Sequence, residues 1–137
     1  MGAIVREIEI DGQMVKFMAS ARTPRLYRSK FNRDLIVDMM NLKQNFDEAI
    51  KAKHIPADAT EEDKKKMEQS AELSVMDLNI FENMAYVMAK QACPDSVSDS
   101  IDEWMDQFGA FSVYEIFPKL SSMWTMNTKT IVEAKKK

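Results

Sequence analysis

At 137 residues, 45% hydrophobic and 30% charged, the chain has the size and composition of one soluble domain that buries a core without a metal or disulfide staple. Three glycines leave no Gly-rich phosphate loop, and one cysteine with one histidine makes neither an internal disulfide nor a metal cluster, so no cofactor is expected. A net charge of −3 gives no overall pull toward nucleic acid, and no apolar run nears the roughly 20 residues that cross a bilayer.

The first element is a β-hairpin. AIVREIEI and QMVKFMA both alternate, and Asp11-Gly12 stands between them. Asp-Gly suits a type I′ turn, whose two central residues need φ > 0. A two-residue turn pairs Ile10 with Gln13, Ile8 with Val15, Arg6 with Phe17 and Ile4 with Ala19. Ile4, Ile8, Ile10, Val15 and Phe17 then share one face, which must lie on helices because a lone hairpin is marginal in water. Glu7 and Lys16 face each other on the opposite side as a prospective ion pair. The outer edges of such a hairpin stay open to another chain, so a homo-oligomer through those edges is one expectation, and cover by the chain's own helices is the other. MGAIVREIEI lacks the basic start of a signal peptide, and Arg6 stands where a myristoylation pattern needs Ser or Thr.

The pattern next predicts one helix from Thr23 to Phe46. Thr23 suits an N-cap and Pro24 the first helical position. Tyr27, Phe31, Leu35, Met39, Leu42 and Phe46 form an apolar stripe that Ile36 and Met40 widen. Five cations, Arg22, Arg25, Arg28, Lys30 and Arg33, crowd its first half, where the helix dipole repels them. Residues 47–59 read as a connection ended by Pro56, with His54 a solvated loop histidine.

Thr60 is expected to cap a long helix, TEED, whose apolar part, 73–91, is the central helix of the core. Ala71, Val75, Leu78, Phe81, Ala85 and Met88 make one stripe, and Leu73, Ile80, Met84 and Val87 a second. Cys93-Pro94 ends it. A short helix follows, capped by Ser96, closed by Gly109, and acidic on one face at Asp95, Asp99, Asp102, Glu103 and Asp106. The last helix starts at Ser112 with a capping box to Glu115 and contains Pro118. From Met126 the period lapses. The expected fold class is therefore α+β, mostly α: an N-terminal hairpin packed on about four helices in one domain, 1–125, with a flexible tail, 126–137.

No constellation points to catalysis. Cys93 and His54 lie far apart in sequence, and the carboxylates near residue 102 read as a solvated face. The sequence is therefore read as that of a non-enzyme. The basic cluster Arg22, Arg25, Arg28, Lys30 and Arg33 admits three readings. It pairs within the fold against the acidic strip 95–106, which matches it in sign. It docks an acidic protein surface. Or it contacts a nucleic-acid backbone, as in a small nucleic-acid-binding regulator; the negative overall charge and the lack of interleaved aromatic residues weigh against this last. Twelve methionines either fill gaps in the core or make an adaptable binding face.

EIEIDGQMVKFMASARTPRLYRSKFNRDLIVDM, together with VYEIFPKLSSMWTMNTKT and a lysine-ending tail, resembles the tail assembly chaperones of non-contractile, long-tailed bacteriophages and related prophages. The similarity covers about residues 4–46 and 110–137, and the chain has Asn32 where that family carries Gly. The resemblance implies a protein of the infected host's cytoplasm, absent from the mature virion. Its implied partners are the tape measure protein, which it keeps soluble, and the major tail protein, which it helps to recruit. It also implies a longer form made by a −1 ribosomal frameshift, for which codons of Lys135, Lys136 and Lys137 could supply an adenine run.

Overall fold

In the computed structural model, residues 3–53, 60 and 73–135 are described, without the side chains of 52, 53 and 125–135. Strands β1 (Ile4–Ile10) and β2 (Gln13–Ala19) pair antiparallel in the expected register, Ile10 opposite Gln13 and Ile4 opposite Ala19. Asp11 and Gly12 take φ of 52° and 80°, the type I′ signature. Ile8, Ile10, Phe17 and Ala19 are buried, while Ile4 and Val15 pack partly against the same core. Arg6 shares this inward row but reaches out of it: its Nη1 donates to Ser122 Oγ at 2.6 Å. Glu7 stands opposite Lys16, yet the two exposed charges do not close into an ion pair among the described residues.

The predicted helix 23–46 is two helices, α1 (Arg22–Phe31) and α2 (Leu35–Lys53). Asn32 leaves α1 in the left-handed conformation, φ 57° and ψ 41°, with its N–H on the Arg28 carbonyl. Asn tolerates that region better than most residues because its short amide bonds locally. Asp34 then starts α2: its Oδ1 accepts the N–H groups of Ile36 (2.9 Å) and Val37 (3.1 Å). The apolar stripe continues across the break because both helices face one core, with Tyr27, Leu35, Met39, Leu42 and Phe46 all buried. Ile36 and Met40 do not widen it; they are 41% and 67% exposed. Thr23 is not a cap but a buried residue of the first turn. Its Oγ1 accepts the Ser20 N–H, Ser20 Oγ accepts the Arg22 N–H, and Gln91 bonds both hydroxyls, which fastens the start of α1 to the helix Val75–Ala92.

Helix α3 (Val75–Ala92) opens with a complete capping box between Ser74 and Asp77, so the central helix begins at Val75. The connection expected at 47–59 begins later than the pattern suggests, because α2 stays helical through Lys53; residues 54–59, and the start of the helix that Thr60 is expected to cap, lie outside the described residues. Ile80, Phe81 and Met84 through Ala89 are buried, but Val75 and Leu78, assigned by their period to the core, are exposed. Helix α4 (Ile101–Asp106) is capped by Ser100 rather than Ser96; Ser96 and Val97 instead turn over the Cys93 carbonyl. Gly109 has no left-handed backbone and does not close α4. Its N–H donates to Asp11 Oδ2 at 2.7 Å, and an added Cβ would stand 3.1 Å from that oxygen, so its smallness lets the hairpin turn approach.

Helix α5 (Val113–Lys135) begins directly after Ser112 and is continuous through Pro118. No hydrogen bond of the Ser112 side chain completes the expected box among the described residues. The helical backbone extends past Met126, where the apolar period lapses, to Lys135. The architecture is thus α+β and mostly α, with five helices among the described residues. Helix α3 lies on β2, α5 on β1, and α2 against α3. One core runs from Ile8 to Trp124. A relay of rings joins its helices: Phe46 to Phe117 at 5.3 Å, Phe81 to Phe111 at 5.2 Å, and Phe111 to Trp104 at 5.5 Å. Such pairs add about 0.5–1.5 kcal/mol each beyond area burial.

Candidate partner-binding surface

The break at Asn32 changes how the basic cluster is placed. Helix α1 is short, so Arg28 and Lys30 lie in its last turn, where the dipole favours cations. Only Arg22 and Arg25 stand at the unfavourable end. Arg33 lies beyond the helix and is held by Asp38 through two bonds, Nε to Oδ2 at 2.7 Å and Nη2 to Oδ1 at 2.9 Å. Tyr27 donates its hydroxyl to the same carboxylate at 2.8 Å. Burial would raise the Asp38 pKa, but the bonds from Arg33 and Tyr27 outweigh it and hold the carboxyl below the usual Asp value. Burial, then the Asp38 carboxylate, push the Tyr27 hydroxyl well up. This triad latches the α1–α2 junction, and it takes Arg33 out of the set of free cations.

Arg22, Arg25 and Arg28 are exposed and reach no carboxylate among the described residues. The acidic strip does not pair with them. Asp95, Asp99, Asp102, Glu103 and Asp106 are all exposed, and the cation that meets Asp99, at 2.8 Å, is Lys90. Its hydrogen bond and charge hold Asp99 below the usual Asp value. Lys90 also donates to the carbonyls of Pro94 (2.8 Å) and Val97 (2.6 Å), so it closes the C-terminus of α3. Sequence reasoning missed this role, although a lysine in the last turn before Cys-Pro was its signal.

Between α1 and α3 lies a groove of about 500 Å³. Leu26, Tyr86 and Val87 make its apolar floor, and Arg22, Lys30 and Lys90 stand around it, with Ser29 between. Tyr86 is fixed from behind, its hydroxyl donating to the Ser98 carbonyl. Burial raises its pKa above the usual tyrosine value. The Lys30 ammonium sits over the Tyr86 ring at 5.3 Å from its centroid.

Elsewhere the fold leaves large apolar side chains outside a closed core. Ile36, Val37 and Met40 lie on the first turns of α2, Val75 and Met76 at the start of α3, and Val5 and Met14 on the outer hairpin face. Methionines serve both roles allowed by the sequence: Met84, Met88 and Met123 are buried, while Met14, Met40 and Met76 are exposed by 59% or more. Neither outer hairpin edge makes a backbone–backbone hydrogen bond to another described element.

His54 lies outside the described residues, and Cys93 is a half-buried free thiol after α3. Among the described residues no His, Cys, Asp and Glu are grouped to hold a metal ion, and no helix is long and apolar enough to cross a membrane. Arg22 and Lys30 thus meet at one groove, with Arg25 and Arg28 further round α1, and Arg33 belongs to a different structure. No protein-family model, curated protein or solved structure matches this chain.

Proposed function

We propose that the chain is a non-catalytic tail assembly chaperone of a long-tailed phage or prophage. It binds the tape measure protein, keeps it soluble, and helps to recruit the major tail protein in the host cytoplasm without entering the virion. The observation that carries this reading is the apolar surface left outside the core of the described residues, Ile36, Val37 and Met40 above all. Exposed, adaptable methionines suit a partner that presents long amphipathic helices. The unpaired hairpin edges suit copies lined up along an extended partner. Asn32 is a departure the fold tolerates: its left-handed backbone is the conformation in which Gly and Asn replace one another at least cost.

Co-expression tests the proposal. The tape measure protein of the same phage should be insoluble alone and soluble with this chain, and Met40→Asp with Ile36→Asp should abolish the rescue. An equally insoluble tape measure protein in both cultures would refute it. The coding nucleotides test the longer form, since a frameshift needs a slippery heptamer near the end of the reading frame. Arg22, Arg25 and Arg28, which pair with no carboxylate among the described residues, favour one second reading, a nucleic-acid-binding regulator. Its binding would fall steeply with salt, with a slope set by the phosphates contacted.

A further inference from the structure

We infer that the α1–α3 groove is a docking site for an acidic amphipathic helix of another protein, its apolar side chains seated over Leu26 and Pro94 and its carboxylates met by Arg22, Arg25 and Lys30. The inference rests on the reading of the basic cluster as partner-binding and does not require the partner to be the tape measure protein.

Three observations point there. The groove is preformed, because Tyr86 and Val87 behind it belong to the core, and its accessible apolar surface comes from the half-buried Leu26 and the exposed Pro94. A rigid apolar floor gives affinity without an ordering cost. The rim is cationic: Arg22 and Lys30 line the groove, Arg25 lies one helical turn from Arg22, and none closes an ion pair with a described carboxylate, although the Lys30 charge acts on Asp99. Lys30 is in addition held at the groove mouth by the Tyr86 ring. Finally, the surroundings disfavour a nucleic acid. Tyr86 is covered and Tyr27 fully buried, so neither gives a base a ring to stack on. Lys90 is already engaged by two carbonyls and Asp99, which leaves Arg22, Arg25 and Lys30 to meet a ligand's charge. A helix with leucines on one stripe and glutamates beside it matches this mixture of apolar floor and cationic rim.

The test uses a labelled helical peptide of about 16 residues, with Leu on one stripe and Glu flanking it, and a counterpart with Lys in place of Glu. Fluorescence anisotropy against the full chain should show binding of the acidic peptide and none of the basic one. Arg22→Glu with Lys30→Glu should weaken it at least tenfold, and so should Ser29→Trp, which fills the groove and leaves the charges in place. Each variant is first checked for an unchanged thermal melt.

No binding of the acidic peptide, or binding indifferent to both variants, would overturn the inference. So would tighter binding of a DNA duplex than of the peptide. Self-association of the chain that the charge reversals abolish would assign the groove to a second copy and also overturn it. Peptide binding lost while the tape measure protein is still solubilised would sink the groove alone. Peptide binding without solubilisation would sink the proposed chaperone role alone.

Discussion

Replacing Asp38 by Ala tests whether the α1–α2 junction is held by the triad described above. Asp38 is 4% exposed and accepts three hydrogen bonds, two from Arg33 and one from Tyr27. Its loss leaves the Tyr27 hydroxyl buried and unpaired, which costs about 1–3 kcal/mol. The Arg33 side chain is 45% exposed, so it returns to water, and its share is only about 0.5–1 kcal/mol after screening. Ala is the better helix former by about 0.5 kcal/mol, and the lost anion in the first turn of α2 costs a similar amount, so these two roughly cancel. The expected loss is about 2–3 kcal/mol at pH 7 in urea unfolding. Tyr27→Phe removes the same hydroxyl bond and should cost about 1 kcal/mol. The double variant should fall short of the sum by about 1–2 kcal/mol, because each change removes the other's partner. The sign with pH follows from the depressed Asp38 pKa. Its charge-dependent contribution is present above the unfolded value near 3.9 and is lost as pH falls through the lower folded value, so the gap between wild type and Asp38→Ala should narrow below about pH 4, while the neutral carboxyl still accepts the Tyr27 hydroxyl. A loss under about 0.5 kcal/mol at pH 7, or a gap unchanged into acid, would refute the latch.

Asn32→Gly should be neutral or stabilising by up to about 1 kcal/mol, and Asn32→Val should destabilise by more than 1 kcal/mol, because the left-handed backbone excludes a branched side chain; urea midpoints decide it. Ser74→Ala removes one half of the α3 capping box and should cost about 1 kcal/mol in the same assay. Replacing Arg22, Arg25 and Arg28 together by Ala should leave stability within about 0.5 kcal/mol of wild type, since no described carboxylate pairs with them. A loss of 1–2 kcal/mol would restore the idea that these cations pair within the fold.

Local chemistry made the hairpin legible. Asp11-Gly12 sets both the turn and the register, and alternation then sorts Ile8, Ile10 and Phe17 inward. The α1–α2 break was hidden by a continuous apolar period, although Asn32 and Asp34 are the stop and start residues such a break needs. Period alone also misplaced Ile36, Met40, Val75 and Leu78, which lie on the outward side of turns whose other residues, Leu35, Met39 and Ile80 among them, are buried. Ser74 was masked by the stronger-looking acidic cap at Thr60. For the site, the cations were readable one by one, but their division was not. Arg33 turns away to Asp38 because α1 ends at the left-handed Asn32, and Lys90 meets Asp99 because the turn at 93–97 brings it there. The groove itself exists only where α1 and α3 lie side by side, a long-range contact that no local pattern encodes.

The most direct measurement is a tagged pull-down of the full chain from phage-producing cells, washed at low and then high salt, with mass spectrometry of what remains. The chaperone reading predicts a very long, coiled-coil-rich polypeptide retained at both salts. Recovery of nucleic acid alone, lost as the salt is raised, would contradict it.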